Sequence, residues 1–161
     1  MSLFEICQVL EQTTISTIVR ESAFPYVEGA HVLGLGLSIG TVMWFDLRLL
    51  GAAMRTQPVS EVFQDLKAWM LTGFGIMFLT GGLLFSAHAT KVYASGYFRV
   101  KLALLILAGV NTAVYHLTIG RRQSEWDKAS VTPFAAQAAG LVSLALWFSV
   151  VAVGRIFAYH L

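Results

Sequence analysis

Histidine side chains are the groups in this sequence best suited to bind a metal or a haem iron, and they lie at positions 31, 88, 116 and 160. His31 lies near the start of one apolar stretch, and His88 lies near the end of the next. Because consecutive helices of a bundle run in opposite directions, we expect the two imidazole rings to lie at similar depth and to face each other. A b-type haem needs this arrangement for bis-histidine ligation. The sequence therefore predicts one haem b per chain, with His31 and His88 as the iron ligands.

Small residues follow the same helix faces as these two histidines. Gly81 precedes His88 by seven residues, which places it on the same face of a helix. The missing side chain would let a porphyrin approach the backbone. Gly34 and Ser38 continue the face of His31. Glycines in such stretches are also typical of close helix–helix packing, so room for a flat cofactor is one of two interpretations.

Cationic residues cluster near the predicted haem, at the start of the third apolar stretch. Arg99 and Lys101 lie there, and Lys91 is close in sequence. Haem propionates are anionic, and cations at the membrane edge would bind them. In the alternative interpretation, these cations are snorkelling anchors and His88 is a histidine at the interface with water.

Glu28 stands one helical turn before His31, which gives the Glu-x-x-His spacing of di-iron bundles. A di-iron centre needs a second such pair and two further glutamates, and the apolar stretches contain no other glutamate. Beside a haem, Glu28 would orient a histidine nitrogen or a helix end. The alternative is a mononuclear zinc or copper site formed by Glu28, His31, His88 and His160.

The two remaining histidines are not predicted to bind the same haem. His116 lies on the order of 20 Å from the level of His31, because an α-helix rises about 1.5 Å per residue. Met43 and Met70 lie near that depth, but packing explains them better than ligation. His160, next to the C-terminus, is expected to be an interfacial residue.

Asp46 and Arg48 are two charged side chains near the end of the first apolar stretch, where burying a charge is energetically costly. They are two residues apart and cannot face each other on one helix. We expect Asp46 to pair with Lys67, Arg121 or a loop amide, and Arg48 with a carbonyl or Asp65. Such pairs would lock the helix ends, and the alternative is a role in proton or quinone binding. Elsewhere, Asn111 is expected to bond to a neighbouring helix, and the loop 124–128 to be solvated.

The apolar composition of the chain predicts the kind of fold that positions these side chains. Apolar residues make up 57% of the chain and charged residues only 12%, against about a quarter charged in soluble domains. A bilayer core requires roughly 20 apolar residues in a helix. The sequence predicts an all-α integral membrane protein, a single domain over residues 1–161. It is a bundle of four transmembrane helices, with spans at about 26–49, 66–89, 99–119 and 132–157.

The N-terminal segment has a different pattern, because it is amphipathic rather than uniformly apolar. Residues 2–22 predict an interfacial helix with its apolar face in lipid or against the bundle. Pro25 is expected to break this helix before the first span. The single Cys7 excludes an internal disulfide, and we expect it to face the membrane.

Four spans place both chain termini at one end of the bundle, which we call the terminal end, and two connections at the other, the loop end. A small excess of Lys and Arg at the loop end favours a cytoplasmic location for it. The sequence thus predicts a multi-pass protein of the bacterial inner membrane with periplasmic termini. Its environment is the lipid bilayer, no nucleic acid is expected as a partner, and the Gly-rich spans allow a homo-oligomer.

Two segments of the sequence resemble an uncharacterised bacterial family of small four-helix inner-membrane proteins. They are SAFPYVEGAHVLGLGLSIGTVMWFDLRLLG and, later, YFRVKLALLILAGVNTAVYH. The family pattern contains Glu-x-x-His, then Asp-Leu-Arg-Leu-Leu-Gly, then a Lys-headed third helix with an Asn. The resemblance assigns motif positions to six residues: Glu28, His31, Asp46, Arg48, Lys101 and Asn111. More loosely, the chain is similar to compact membrane b-type cytochromes and to copper-resistance membrane proteins.

Taken together, these residues predict an electron carrier or a subunit of a redox complex rather than an enzyme. It would pass electrons between the quinone pool or a membrane dehydrogenase and a redox partner protein, and the haem would supply the redox chemistry. The competing hypothesis is a non-redox membrane subunit, either with a mononuclear metal site or with a purely structural role.

Overall fold

A computed structural model describes residues 2–127, 129 and 131–159 of the chain. All regular secondary structure in these residues is helical. The helices are α1 (Leu3–Glu11), α2 (Thr14–Ile18), α3 (Phe24–Leu49), α4 (Val59–Ala87), α5 (Ala89–Ala94), α6 (Gly96–Leu117), α7 (Gln123–Trp126) and α8 (Phe134–Ala158). A π-helical segment, Val19–Ala23, joins α2 to α3, and a 3₁₀ turn, Gly120–Arg122, precedes α7.

Four of these helices, α3, α4, α6 and α8, are long and apolar enough to cross a membrane. Their outward side chains are large and apolar: Leu33, Phe78 and Phe134 are each more than three-quarters exposed. Such surfaces are expected where lipid replaces water. The chain is therefore a multi-pass membrane protein, as the composition predicts.

Helix α4 begins at Val59, several residues before the predicted start of the second span. Its first turns are polar and carry Glu61 and Asp65, so the hydropathy pattern does not include them. Asp127, from the other loop, accepts hydrogen bonds from the backbone N–H of Ser60 at 2.8 Å and from the Ser60 hydroxyl. This contact satisfies one of the unpaired N–H groups at the start of α4. The predicted loop 124–128 is thus partly helical and joined to the bundle through Asp127, while Lys128 lies outside the described residues.

The N-terminal segment bends instead of forming the single helix predicted over residues 2–22. Ser2 and Glu5 form a capping box at the start of α1. Thr13 then caps α2, and the Ser16 hydroxyl donates to the Leu10 carbonyl at 2.7 Å across the bend. Helix α1 packs against α5, and Cys7 is buried in the protein. The predicted exposure of Cys7 to lipid is therefore wrong.

Pro25 does not break the chain into two helices, which corrects a second expectation. It occupies the first turn of α3, where its missing N–H would have no intrahelical partner in any case. The irregularity appears just before it, as the π-helical turn Val19–Ala23. The N-terminal segment therefore continues into the first span without an extended linker.

Helices α3 and α4 pack along each other, α6 and α8 form a second pair, and α3 also contacts α8. The first pair is closest at Gly73, where an added Cβ would lie 2.8 Å from the Ser38 Cα. At Gly34 an added Cβ would lie 2.8 Å from the Ile76 Cγ2. The close-packing interpretation is thus confirmed for these glycines. The space beside Gly34 and Ser38 is filled by α4, and a flat cofactor does not fit there.

Candidate functional site

The His31 side chain is held between α3 and α4 by hydrogen bonding to one of its two ring nitrogens. Its Nδ1 atom lies 2.8 Å from the Thr80 hydroxyl oxygen, which also lies 2.6 Å from the Ile76 carbonyl oxygen. A carbonyl can only accept, so the single hydroxyl proton is donated to Ile76, and His31 must donate its Nδ1 proton to Thr80. In this tautomer the Nε2 lone pair is free to ligate.

Gly81 lies directly under the His31 ring. A Cβ added at Gly81 would lie 3.2 Å from the ring Cε1 atom and 3.7 Å from Nδ1. The neighbour that approaches this glycine is therefore the imidazole itself, not the predicted porphyrin. The glycine allows the ring to pack flush against α4, where Thr80 can bond to it.

His88 lies at the junction of α4 and α5, where its dihedral angles (φ −139°, ψ 40°) leave the helical range. Its ring packs edge-on against Phe24, with 5.7 Å between ring centroids. His31 is level with Thr80, whereas His88 is level with Phe24. Seven residues separate these levels on α3, which corresponds to about 10 Å along the helix. The predicted match in depth is wrong, because the close contact of Ser38 with Gly73 fixes a different register.

The surroundings of His88 link the N-terminal segment to this junction. Glu11 accepts hydrogen bonds from the Thr90 backbone N–H at 2.9 Å and from the Thr90 hydroxyl at 2.6 Å. Arg20 donates to the Ala87 carbonyl at 3.2 Å. Burial, together with the nearby Lys91 and Arg20 charges, lowers the pKa of His88, while Glu11 partly opposes this change. The neutral imidazole, the form that can ligate, is thereby favoured.

Lys101 is the cationic side chain that the structure brings to His31. It is half-buried, lies within electrostatic range of the imidazole, and runs over α8. Its Nζ atom is 3.5 Å from the position that a Cβ would take at Gly154. Among the described residues, no carboxylate or hydrogen-bond acceptor pairs with this ammonium group.

The other residues predicted for this site lie apart from it. Glu28 and Arg99 are both exposed, and neither has a hydrogen bond to a histidine within the part of the chain that the structure describes. No group of three or more His, Cys, Asp and Glu side chains gathers among those residues. His160, the fourth residue of the predicted mononuclear metal site, lies outside them.

Two residues of this site were missed by sequence reasoning, Thr80 and Gly154. The available signal for Thr80 was a small polar residue next to Gly81 within an apolar helix. The role of Gly154 depends on the pairing of α6 with α8, because the Lys101 side chain of α6 lies over this glycine of α8. The structure therefore assembles the site from His31, Thr80, Gly81, Lys101 and Gly154.

At the loop end, the Arg48 and Asp46 side chains contact different parts of the bundle. Arg48 donates to the Gln57 carbonyl at 2.8 Å and to the Thr132 hydroxyl at 3.4 Å, which confirms the predicted carbonyl partner. Asp46 does not pair with Lys67 or Arg121. It lies against Ser143 of α8, and its Oδ2 atom has no hydrogen-bond partner in the described parts of the chain.

Asn111 and His116 are two further polar residues of α6. Asn111 donates from its side-chain amide to the Ala139 carbonyl at 3.1 Å, which confirms its predicted bond to a neighbouring helix. His116 lies near the end of α6, with its ring centroid 5.2 Å from that of Phe63 and 5.1 Å from that of Tyr115. It belongs to the loop end and not to the His31 site.

Residues 19–160 match a family of unknown function, DUF6644. The chain belongs to this family. The match includes α3 to α8 and both polar groups described above, and it agrees with the resemblance to an uncharacterised family. No curated protein and no solved structure matches the chain.

Proposed function

We propose that this protein is a membrane haem protein that carries electrons, in which His31 would bind the haem iron. The observation that supports this role most strongly is the hydrogen bond from His31 Nδ1 to Thr80. Histidines that ligate metals characteristically donate their other ring N–H to a fixed acceptor, which sets the tautomer and the ring orientation. The Gly81 backbone supports the ring from below.

Lys101 provides the second half of the proposed site. Haem combines an iron atom with carboxylate groups, and the unpaired Lys101 ammonium would hold one carboxylate by a charge-assisted hydrogen bond. Gly154 leaves space for the lysine stem on α8. This cation replaces the exposed Arg99 as the main anchor for a propionate.

His88 is the proposed second ligand, and its position requires the junction of α4 and α5 to rearrange. The register places it about 10 Å farther along the bundle than His31. The junction is already non-helical at His88, and the ring has one aromatic neighbour, Phe24. Binding both histidines to one iron would therefore be coupled to unwinding at the end of α4.

When bound, haem would supply the redox chemistry. The chain would exclude water from the iron, orient the imidazole through Thr80, and neutralise a propionate through Lys101. Its electron donor and acceptor would be the quinone pool or a membrane dehydrogenase and a redox partner protein, in a bacterial inner membrane. A homo-oligomer is compatible with this function.

The test is a titration of purified protein in nanodiscs with haem, followed by its Soret absorption. We expect one haem per chain, loss of binding in His31→Ala, and retained binding in the control His116→Ala. In His88→Ala we expect haem to stay bound but to change from a low-spin to a high-spin spectrum. Folded protein without a Soret band, or a His31→Ala variant that binds haem normally, would favour the non-redox subunit.

A further inference from the structure

A second polar site lies at the loop end of the bundle, in a cavity of about 80 Å³ between α3, α4, α6 and α8. Its walls are mainly apolar and include Phe45, Phe63, Phe74 and Trp147. Asp46 and Tyr115 also line it, together with Asn111, Ser143 and His116. Polar side chains inside a membrane bundle are costly and usually serve a function.

Two atoms in this cavity lack partners. Asp46 Oδ2 and the Tyr115 hydroxyl are buried and make no hydrogen bond within the described residues, and both residues are only 4% exposed. The Ser143 hydroxyl lies against the carboxyl of Asp46 but leaves Oδ2 unpaired. A buried acceptor and a buried donor without partners are each energetically costly. Because Asp46 and Tyr115 line the same cavity, we expect the cavity to hold something that bonds to both atoms.

No described cationic side chain neutralises Asp46. Its neighbour on α3, Arg48, bonds to the Gln57 carbonyl and to Thr132. From α6 the cavity receives two titratable groups, Tyr115 and His116. The side chains from α4 and α8 that line it are uncharged. Because an unpaired carboxylate is expensive in a low-dielectric interior, a cation must accompany Asp46.

The size of the cavity restricts the ligand. A water molecule takes up about 30 Å³ in the liquid, whereas an apolar cavity that binds benzene has about 150 Å³. The cavity therefore accommodates two or three waters but not the ring of a quinone. Polar groups from three helices supply the bonds that such waters require.

We propose that this cavity is a hydrated proton-binding site in which the Asp46 carboxyl carries the proton. His116 connects it to the loop end, since this residue both lines the cavity and is exposed near the end of α6. A proton on the His116 imidazolium passes to cavity water as its N–H bond breaks. The O–H bond of that hydronium then breaks as one forms on Asp46 Oδ2, so charge and atoms balance. This site is separate from the proposed haem site and does not depend on it.

Infrared spectroscopy of the full chain in nanodiscs tests the proposal without haem. At pH 7 we expect a carboxylic-acid C=O band that shifts in D₂O. The band should be absent in Asp46→Asn and retained in Asp65→Asn, a matched control because Asp65 is exposed at the same end. A band that persists in folded Asp46→Asn protein would overturn the proposal.

Two further measurements cover the case in which Asp46→Asn fails to fold. Ser143→Ala removes the hydroxyl beside the carboxyl, so the band should move to higher frequency without disappearing. His116→Ala should slow the D₂O shift of the band, because it removes the connection to the loop end. An unmoved band in Ser143→Ala would overturn the assignment. A band that sodium ions remove at constant pH would also overturn it, since the cavity would then hold a metal cation.

Discussion

The Thr80 hydroxyl accepts the Nδ1 proton of His31 while donating its own proton to the Ile76 carbonyl. This chain of two hydrogen bonds determines which imidazole nitrogen is free, and it does so from a neighbouring helix. The orientation of His31 thus depends on the packing of α3 against α4.

Replacing Thr80 by Val keeps the shape of the side chain and removes the acceptor. Hydrogen-bond partners of metal-binding histidines typically contribute 10–100-fold to affinity, so haem affinity should fall by about that factor. Thr80→Ser should restore it, because it returns the hydroxyl. Haem titration by Soret absorbance measures both variants, and equal affinity of Thr80→Val and wild type would remove the proposed role of Thr80.

Gly81→Ala should weaken haem binding by displacing the His31 ring. The added Cβ would lie 3.2 Å from the ring Cε1, so the imidazole must shift. Gly82→Ala is a matched control one residue away, since nothing lies within 4 Å of its Cβ position. The same titration compares the two variants. Equal losses of haem affinity in the two variants would indicate a general effect on α4 rather than a contact with the His31 ring.

Lys101→Met should weaken haem binding by about tenfold to a hundredfold. This range corresponds to the 1.5–3 kcal/mol of a hydrogen bond to a charged group. Lys101→Arg should retain most of the affinity, and the exposed Arg99 should tolerate Met. The dimethyl ester of haem lacks free carboxylates, so wild type and Lys101→Met should bind it equally. A loss of ester binding in Lys101→Met would show that the lysine acts through packing.

Gly73→Ala should destabilise the α3–α4 pair by about 1–3 kcal/mol, the usual cost of overpacking. Its Cβ would lie 2.8 Å from the Ser38 Cα, and backbone on both sides prevents an easy adjustment. Gly75→Ala adds the same methyl group where nothing lies within 4 Å, so its Tm should not fall. Thermal unfolding in detergent measures both variants. A similar Tm for the two would indicate that the helices separate at little cost.

Glu11 should make the docking of α1 sensitive to acid. Hydrogen bonds from the Thr90 side chain and backbone lower the pKa of Glu11, against a smaller opposing effect of burial. A lowered folded-state pKa stabilises the docked form at neutral pH. The contribution is lost as pH falls below the usual glutamate value of about 4.3 and through the folded pKa. Hydrogen exchange of α1 should therefore accelerate in acid.

The variant Glu11→Gln separates this contact from general acid sensitivity. It should show fast exchange of α1 already at pH 7, whereas Glu21→Gln, at an exposed residue, should behave as wild type. Unchanged exchange in Glu11→Gln would mean that α1 is held by its apolar contacts with α5.

The four spans could be predicted because a lipid bilayer requires long apolar helices, and the hydropathy of the sequence measures this apolar character directly. Helix ends were less accurate where a polar turn continues the helix, as at the start of α4. Depth could not be predicted for His31 and His88, because it depends on how two helices slide past each other. The contact between Ser38 and Gly73 sets that register, and a sequence with many glycines does not reveal which ones meet.

The polar groups show a similar division. Lys101 could be placed near His31 because both lie at the same end of their helices. The unpaired state of Asp46 could not be predicted, because whether Lys67, Arg121 or a loop amide reaches it depends on how the bundle folds. Ser143 and Tyr115, which line the cavity with Asp46, come from helices far along the chain.

The Ser38–Gly73 contact also has a mechanical consequence. Ser38 lies nearly midway between His31 and Asp46 on one continuous helix, so the two side chains are roughly 10 Å and 12 Å from it. A tilt of α3 against α4 about this contact would turn the two halves of α3 in opposite directions. Any such tilt moves His31 and Asp46 by nearly equal amounts in opposite directions, and a displacement at one end of the membrane is transmitted to the other.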